Sequence, residues 1–303
     1  VLFRSVGYAL FEIPSNVVMV RVGARYWISR IMITWGLISA AMMFVSSPTS
    51  FYVLRFLLGV AEAGFFPGII LYLTYWYPAQ YRARFLAAFA VAVPVSTVIG
   101  APVSGLLLGM HGLLGLQGWQ WLFIIEGVPS VLLGIVTWFY LTDRPEKADW
   151  LSAEQKAWLK GKLDAEVAAK QAAKHFTFLE ALSSSKVLAL SAIYFGFVAS
   201  LYGMQFWLPQ IVKAFGLTNA QTGFVTAIPY AFGTVAMILW ARRSDATRER
   251  VFHVGAPLLL TALALAVSSY ITDPTMTMVV LTVAAIGVFC TFAVFWTLPT
   301  AWL

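Results

Sequence analysis

Charge is what this sequence is shortest of. Asp, Glu, Lys and Arg make up 11% of its 303 residues, where soluble domains carry roughly 25%. A chain so poor in charge cannot clothe a water-facing globule, and the ordinary soluble fold classes are excluded. Cysteine is nearly absent: Cys290 stands alone, which rules out an internal disulfide and a thiolate metal cluster. Histidine is as scarce, and His111, His175 and His253 fall in loops or at the ends of apolar runs, so no histidine proton relay is assigned. The sequence has no HExxH pair, no cysteine–histidine constellation and no phosphate-cradling glycine loop, so neither an enzyme nor a cofactor is expected. No basic cluster interleaved with aromatics lies on a soluble face, which argues against nucleic-acid binding.

What is abundant is apolar surface. Hydrophobic residues are 60% of the chain and aromatics 16%, and the mean hydropathy is +0.81. A membrane helix needs about 20 apolar residues. Runs of that kind occupy Leu2–Val20, Ile28–Val45, Phe51–Tyr77, Phe85–Met110, Trp119–Leu141, Val187–Val212, Gly223–Trp240, Phe252–Ile271 and Met276–Leu303. Barrel strands would be shorter and alternate with period two, so the expected fold is an all-α, polytopic membrane helix bundle in contact with the lipid bilayer.

Arginines are not scattered. Arg21, Arg25 and Arg30, then Arg82 and Arg84, then Arg242, Arg243, Arg248 and Arg250 mark alternate connections, while 46–50 and 111–118 carry no Lys or Arg. Positive loops stay cytoplasmic, so every span receives a consistent direction. The long polar segment 142–186 is cytoplasmic by the same rule. Its eight Lys/Arg balance seven Asp/Glu, Ser152 with Gln155 forms a capping box, and Leu151, Trp158, Leu159, Leu163 and Val167 form a helical apolar stripe. Residues 1–141 and 187–303 then read as N-terminal and C-terminal halves around a linker with an amphipathic helix. In this reading the first helix and the last two of a six-plus-six arrangement are missing, and a chain cut at both ends is expected.

The chemistry concentrates in RFLLGVAEAGFFPG, Arg55–Gly68. Arg55 and Glu62 leave one helical face about 10 Å apart along the axis, and ionisable groups at membrane depth mark substrate or ion pathways. Small residues around them allow close helix approach, and Pro67 is expected to kink the helix. Glu12, in the cytoplasmic half of its span, is expected to pair with an arginine of a cytoplasmic turn, and Glu126 to be structural as well. Tyr202 and Gln210 on the sixth span are candidate cavity residues. The arginine-rich turns after the first and seventh spans, with Arg21 and Arg25 in one and Asp245, Arg248 and Arg250 in the other, suggest a latch on the cytoplasmic side, where arginines can meet helix C-terminal carbonyls.

The motifs GYALFEIPSN, RVGAR, RFLLGVAEAGFFPG, WLFIIEGVPS, DRPEKADWLS, FWLPQIV and FWTLPTA, in this order, resemble the major facilitator superfamily, and within it the anion:cation symporter branch of tartrate, phthalate, galactonate and hydroxyphenylacetate permeases. The resemblance covers essentially the whole chain. It implies proton-coupled uptake of a small organic anion by alternating access, in a monomer of the cell inner membrane, with two pseudo-symmetric six-helix halves in the full protein. It also implies that Arg55 is the substrate-carboxylate arginine and Glu62 the protonatable carboxylate, that Tyr8 is a cavity tyrosine, and that Trp296 lies where the second half contributes substrate contacts. One departure stands out: the position before Arg21, usually acidic in the family, is Val20.

Overall fold

The computed structural model describes residues 2–172 and 183–298. His175, Pro299 and Thr300 lie outside the described residues, as do the side chains of Arg84 and Val167. Among the described residues all regular structure is helical: α1 (Leu2–Val22), α2 (Ala24–Ala41), α3 (Pro48–Glu62), α4 (Phe65–Trp76), α5 (Ala79–Leu108), α6 (Gly118–Tyr140), α7 (Ala153–Ala172), α8 (Ser185–Ala214), α9 (Asn219–Thr247), α10 (Val251–Ser268) and α11 (Pro274–Phe295). Among the described residues eight spans are long and apolar enough to cross a membrane, α3 and α4 together forming one of them. The 21-residue α1 is a further long helix, made less apolar by Arg4, Glu12 and Arg21.

The run expected as one span, Phe51–Tyr77, is two helices. Pro67 has no N–H to give to the carbonyl four residues back, which is Ala63. The break falls there rather than at Pro67 itself: Ala63 leaves helical geometry and Gly64 sits at φ 85, ψ 0. This left-handed region is open to glycine at little cost. The freed Ala63 carbonyl accepts from Ser15 Oγ at 2.7 Å, and Ser15 Oγ in turn accepts from Trp27 Nε1 at 2.9 Å. An orphaned carbonyl in an apolar medium is costly, and two side chains from α1 and α2 remove the cost here. The same solution recurs on α10, where Pro257 frees the His253 carbonyl and Trp240 Nε1 donates to it at 2.8 Å.

The chain forms two compact units, Val1–Leu86 with Met110–Ala173, and Ala87–Gly109 with Lys174–Leu303. In the first, α2 and α6 are tied by hydroxyls, Ser29 Oγ donating to the Gly134 carbonyl at 2.5 Å and Ser130 Oγ to that of Met32 at 2.9 Å. Helices α1 and α3 meet backbone to backbone: a Cβ on Gly7 would lie 2.5 Å from the Phe56 carbonyl oxygen, and one on Gly59 would collide with the Arg4 carbonyl. The linker helix α7 opens on the expected capping box, Gln155 N donating to Ser152 Oγ at 3.2 Å and Ser152 N to Gln155 Oε1 at 2.9 Å. It is held to this unit by an Arg82–Glu166 ion pair of 3.1 Å. The second unit is cored by Phe197, Tyr230, Val288 and Phe289, all buried on α8, α9 and α11.

Candidate functional site

The crossing of α1 and α3 builds the site. Gly59 lies midway between Arg55 and Glu62, and its close approach to α1 brings the Tyr8 backbone alongside, 3.0 Å from where a Gly59 Cβ would stand. Tyr8, Arg55 and Glu62 are therefore neighbours in the first unit, on two helices pressed together because glycine faces backbone. Glu62 is the last residue of α3, one step before the break at Ala63–Gly64.

Arg55 has no acid partner among the described residues. Its guanidinium lies 5.0 Å from the centre of the Phe51 ring and 5.9 Å from that of Phe123, and its Nε is buried without a hydrogen bond. A guanidinium packed against aromatic faces keeps its charge and its fork of donors free for an incoming carboxylate. Glu62 is instead held by Arg4, whose Nε donates to Oε2 at 2.8 Å and whose Nη2 donates to Oε1 at 2.7 Å. The sequence reading paired Glu62 with Arg55 in function and passed over Arg4, although a charge inside the first apolar run was signal enough to find it. Helical spacing shows which residues share a face of α3, not which side chain of α1 comes across.

Glu12 departs from expectation. Among the described residues it has no ion-pair partner, and it lines a shallow concavity of about 470 Å³ with Asn16, Pro67 and Leu71. Of the two nearby arginines, Arg25 is engaged elsewhere: its N–H donates to Asp143 Oδ1 at 2.8 Å, and its Nε donates to the Trp138 carbonyl. Asp143, three residues beyond α6, is thus an acid that meets this turn. Arg21 and Glu126 are exposed, on α1 and α6.

In the second unit, Asp245 pairs with Arg250 at 2.8 Å, and Arg250 Nη1 donates to the buried Ser244 Oγ at 2.8 Å. Arg248 ends α9 with φ 54. Glu249, absent from the sequence reading, accepts from Phe252 N at 2.9 Å and faces His253 Nδ1 at 3.2 Å. The Phe252 N–H, and His253 after it, hold the Glu249 carboxyl below the usual carboxylate range. His253, at the end of its span, is buried. Of the remaining candidates, Tyr202 and Gln210 flank Phe206 on α8, Tyr202 stacked on its ring at 6.0 Å and Gln210 Nε2 donating to its carbonyl at 2.9 Å. Trp296, half-exposed, sets its ring edge to Tyr194 at 5.4 Å.

Apolar helices with a few embedded charges gathered at a broken helix define a multi-pass membrane protein of the transporter class. The chain belongs to the Major Facilitator Superfamily, whose sequence model matches residues 1–301. It is 53% identical over 298 residues to a protein of Agrobacterium vitis named "Putative tartrate transporter", covering 98% of this chain and 69% of that one. It is 44% identical over 299 residues to the "Quinolone resistance transporter" of Acinetobacter baumannii, again covering 98% and 69%. Its fold is similar to the inward-facing, unoccupied crystal structure of a bacterial homologue of the human lysosomal transporter Spinster, with a TM-score of 0.73 at 20% identity, over 99% of this chain and 66% of that one. The chain thus spans about two thirds of the length of the proteins it matches, and those relatives are transporters, not enzymes.

Proposed function

We propose that this protein carries a small organic anion, a tartrate-like dicarboxylate, a sugar acid or an aromatic carboxylate, across the inner membrane of a bacterium by alternating access, and that proton uptake drives it inward. The reading takes the arginine-rich turns as cytoplasmic, 1–141 and 187–303 as the two halves, and 142–186 as the linker between them.

One observation carries the reading: Arg55 is a charged fork of donors, half-buried on a span apolar enough to cross a membrane, with aromatic faces around it and no carboxylate partner among the described residues. An anion is the ligand such a group lacks. Glu62 stands two turns away on the same helix, where its charge is balanced within the protein. Taking a proton there would neutralise it and raise the local positive potential, so anion and proton would favour one another's binding, which is what symport requires. Similarity to proteins named as tartrate transporters supports the substrate class.

The test is uptake of radiolabelled tartrate, galactonate and hydroxyphenylacetate into proteoliposomes, with and without an inward proton gradient. Accumulation only with the gradient is expected. Equilibration indifferent to the gradient would make the protein a facilitator, and outward movement of a quinolone with no uptake of any acid would replace the reading with efflux, the direction suggested by the Acinetobacter relative's name.

A further inference from the structure

Arg30 shares Arg55's isolation but faces elsewhere. Its guanidinium lies over the Trp27 ring at 3.9 Å, and its Nε is buried with no hydrogen-bond partner. Among the described residues it makes no ion pair, whereas Arg82, which like Arg30 and Arg55 has a buried unmatched Nε, at least has Glu166.

The direction of Arg30 follows from what α2 does with its other residues. Ser29 and Gly36 are pressed on α6, Ser29 through its bond to Gly134 and Gly36 against the Gly127 carbonyl. Trp27 and Trp35 face α1 and α4, Trp27 through Ser15 and Trp35 through the Phe65 ring at 6.2 Å. At about 100° per residue, Arg30 falls between these two sides, with Tyr26 and Leu37, which are 41% and 56% exposed. Exposed apolar residues along a spanning helix meet lipid. The neighbouring end of α6 carries Trp138, Phe139 and Tyr140, 40%, 74% and 86% exposed, and Tyr26 packs edge-on against Trp138 at 5.0 Å. Such a band of exposed aromatics marks the headgroup level.

From the start of α2, Arg30 lies about 9 Å into the helix, and helical side chains lean toward the helix N-terminus, here the cytoplasmic end in the orientation proposed above. A long cationic side chain at this depth reaches back to the interface. We propose that Arg30 binds the phosphate of an anionic phospholipid headgroup in the cytoplasmic leaflet, with Trp27 stacked behind the guanidinium. The phosphate oxygens supply acceptors that the described residues do not, and Arg presents a fork to them where Lys would present a point. The cytoplasmic leaflet is rich in anionic lipid, which sets the sign.

Native mass spectrometry of the purified full chain, titrated with phosphatidylglycerol, inorganic phosphate and diacylglycerol, tests this. Arg30→Ala should weaken phosphatidylglycerol binding about tenfold, as expected for losing one charge-assisted hydrogen bond. Arg30→Lys should fall between, and Lys156→Ala, on the linker helix, should match the parent. A second measurement needs no variant: in nanodiscs of phosphatidylcholine, adding 20 mol% phosphatidylglycerol should protect Arg30 from phenylglyoxal and leave the exposed Arg21 reactive. Diacylglycerol binding as tightly as phosphatidylglycerol, equal affinity in Arg30→Ala, or no protection would each overturn the lipid site. Displacement of the lipid by millimolar inorganic phosphate would overturn the lipid as ligand in favour of a free anion. None of these outcomes bears on tartrate uptake, so this proposal and the proposed transport reaction fail separately.

Discussion

Ser15 Oγ donates to the Ala63 carbonyl at 2.7 Å, and this one bond stabilises the broken helix that ends at Glu62. Ser15 is on α1, Ala63 between α3 and α4, and the carbonyl is the one that Pro67 leaves without a donor. Removing the hydroxyl by Ser15→Ala leaves a buried acceptor unmet, which costs about 1–3 kcal/mol. A lower melting midpoint, followed by intrinsic tryptophan fluorescence in detergent, is the expected result. Ser15→Cys, which keeps a weak donor, should recover part of the loss.

Gly64 should be less replaceable still. At φ 85, any L side chain is strained by about 1–3 kcal/mol, and a Cβ there would also run into Ser15 Oγ. Gly64→Ala is expected to be more destabilising than Ser15→Ala by the same melt. Equal or higher stability would mean the break tolerates an ordinary residue.

Arg55→Lys keeps the charge and loses the fork. Its tartrate affinity, read by titration calorimetry, should fall about tenfold, and that of Arg55→Gln further. Both variants should melt close to the parent, because Arg55 has no acceptor among the described residues to leave stranded. A parent-like affinity in Arg55→Gln would remove Arg55 from the site.

Glu62→Gln separates the two activities of a symporter. Proton-driven accumulation should vanish, while exchange of labelled for unlabelled anion across the same proteoliposomes persists. Loss of exchange as well would place Glu62 in the framework rather than in coupling.

Acid should loosen the turn between α9 and α10. Glu249 is held below its ordinary carboxylate range by the Phe252 N–H first and by His253. A depressed pKa stabilises the fold above the unfolded value, near 4.5, and that contribution is lost as pH falls through the lower folded value. Glu249→Gln should therefore flatten the decline in melting temperature below about pH 4.5 and leave the profile at higher pH parallel to the parent. Hydrogen exchange at Phe252 offers a local readout of the same loss.

Much of this was legible in order along the chain. Apolar runs gave the spans because a membrane demands a minimum length of apolar helix, and the Ser152–Gln155 box announced α7 because capping is local. The pairings were not legible. Asp143 caps the turn at Arg25 from 118 residues away, and no spacing rule connects them. Glu12 looked as though it should find an arginine because arginines are near in sequence, yet Arg25 was already engaged by α6. His253 is the span-end residue it looked to be, but its burial beside the Trp240 ring, 4.8 Å away, was not legible.

Composition and periodicity by themselves determined that this is a helical membrane protein and that Arg55 and Glu62 share a helix face, since both follow from hydrophobicity and from a fixed helical pitch. They also gave Pro67 as a source of irregularity. Only the tertiary structure decided where the irregularity fell and what each charge met. A proline frees a carbonyl wherever it stands, but whether the helix breaks there depends on a glycine that can turn and a neighbour that can donate. Arg55 was left open and Arg30 turned outward by how α1, α2, α3 and α6 close on one another, and that closure is set by glycines and hydroxyls far apart in the chain.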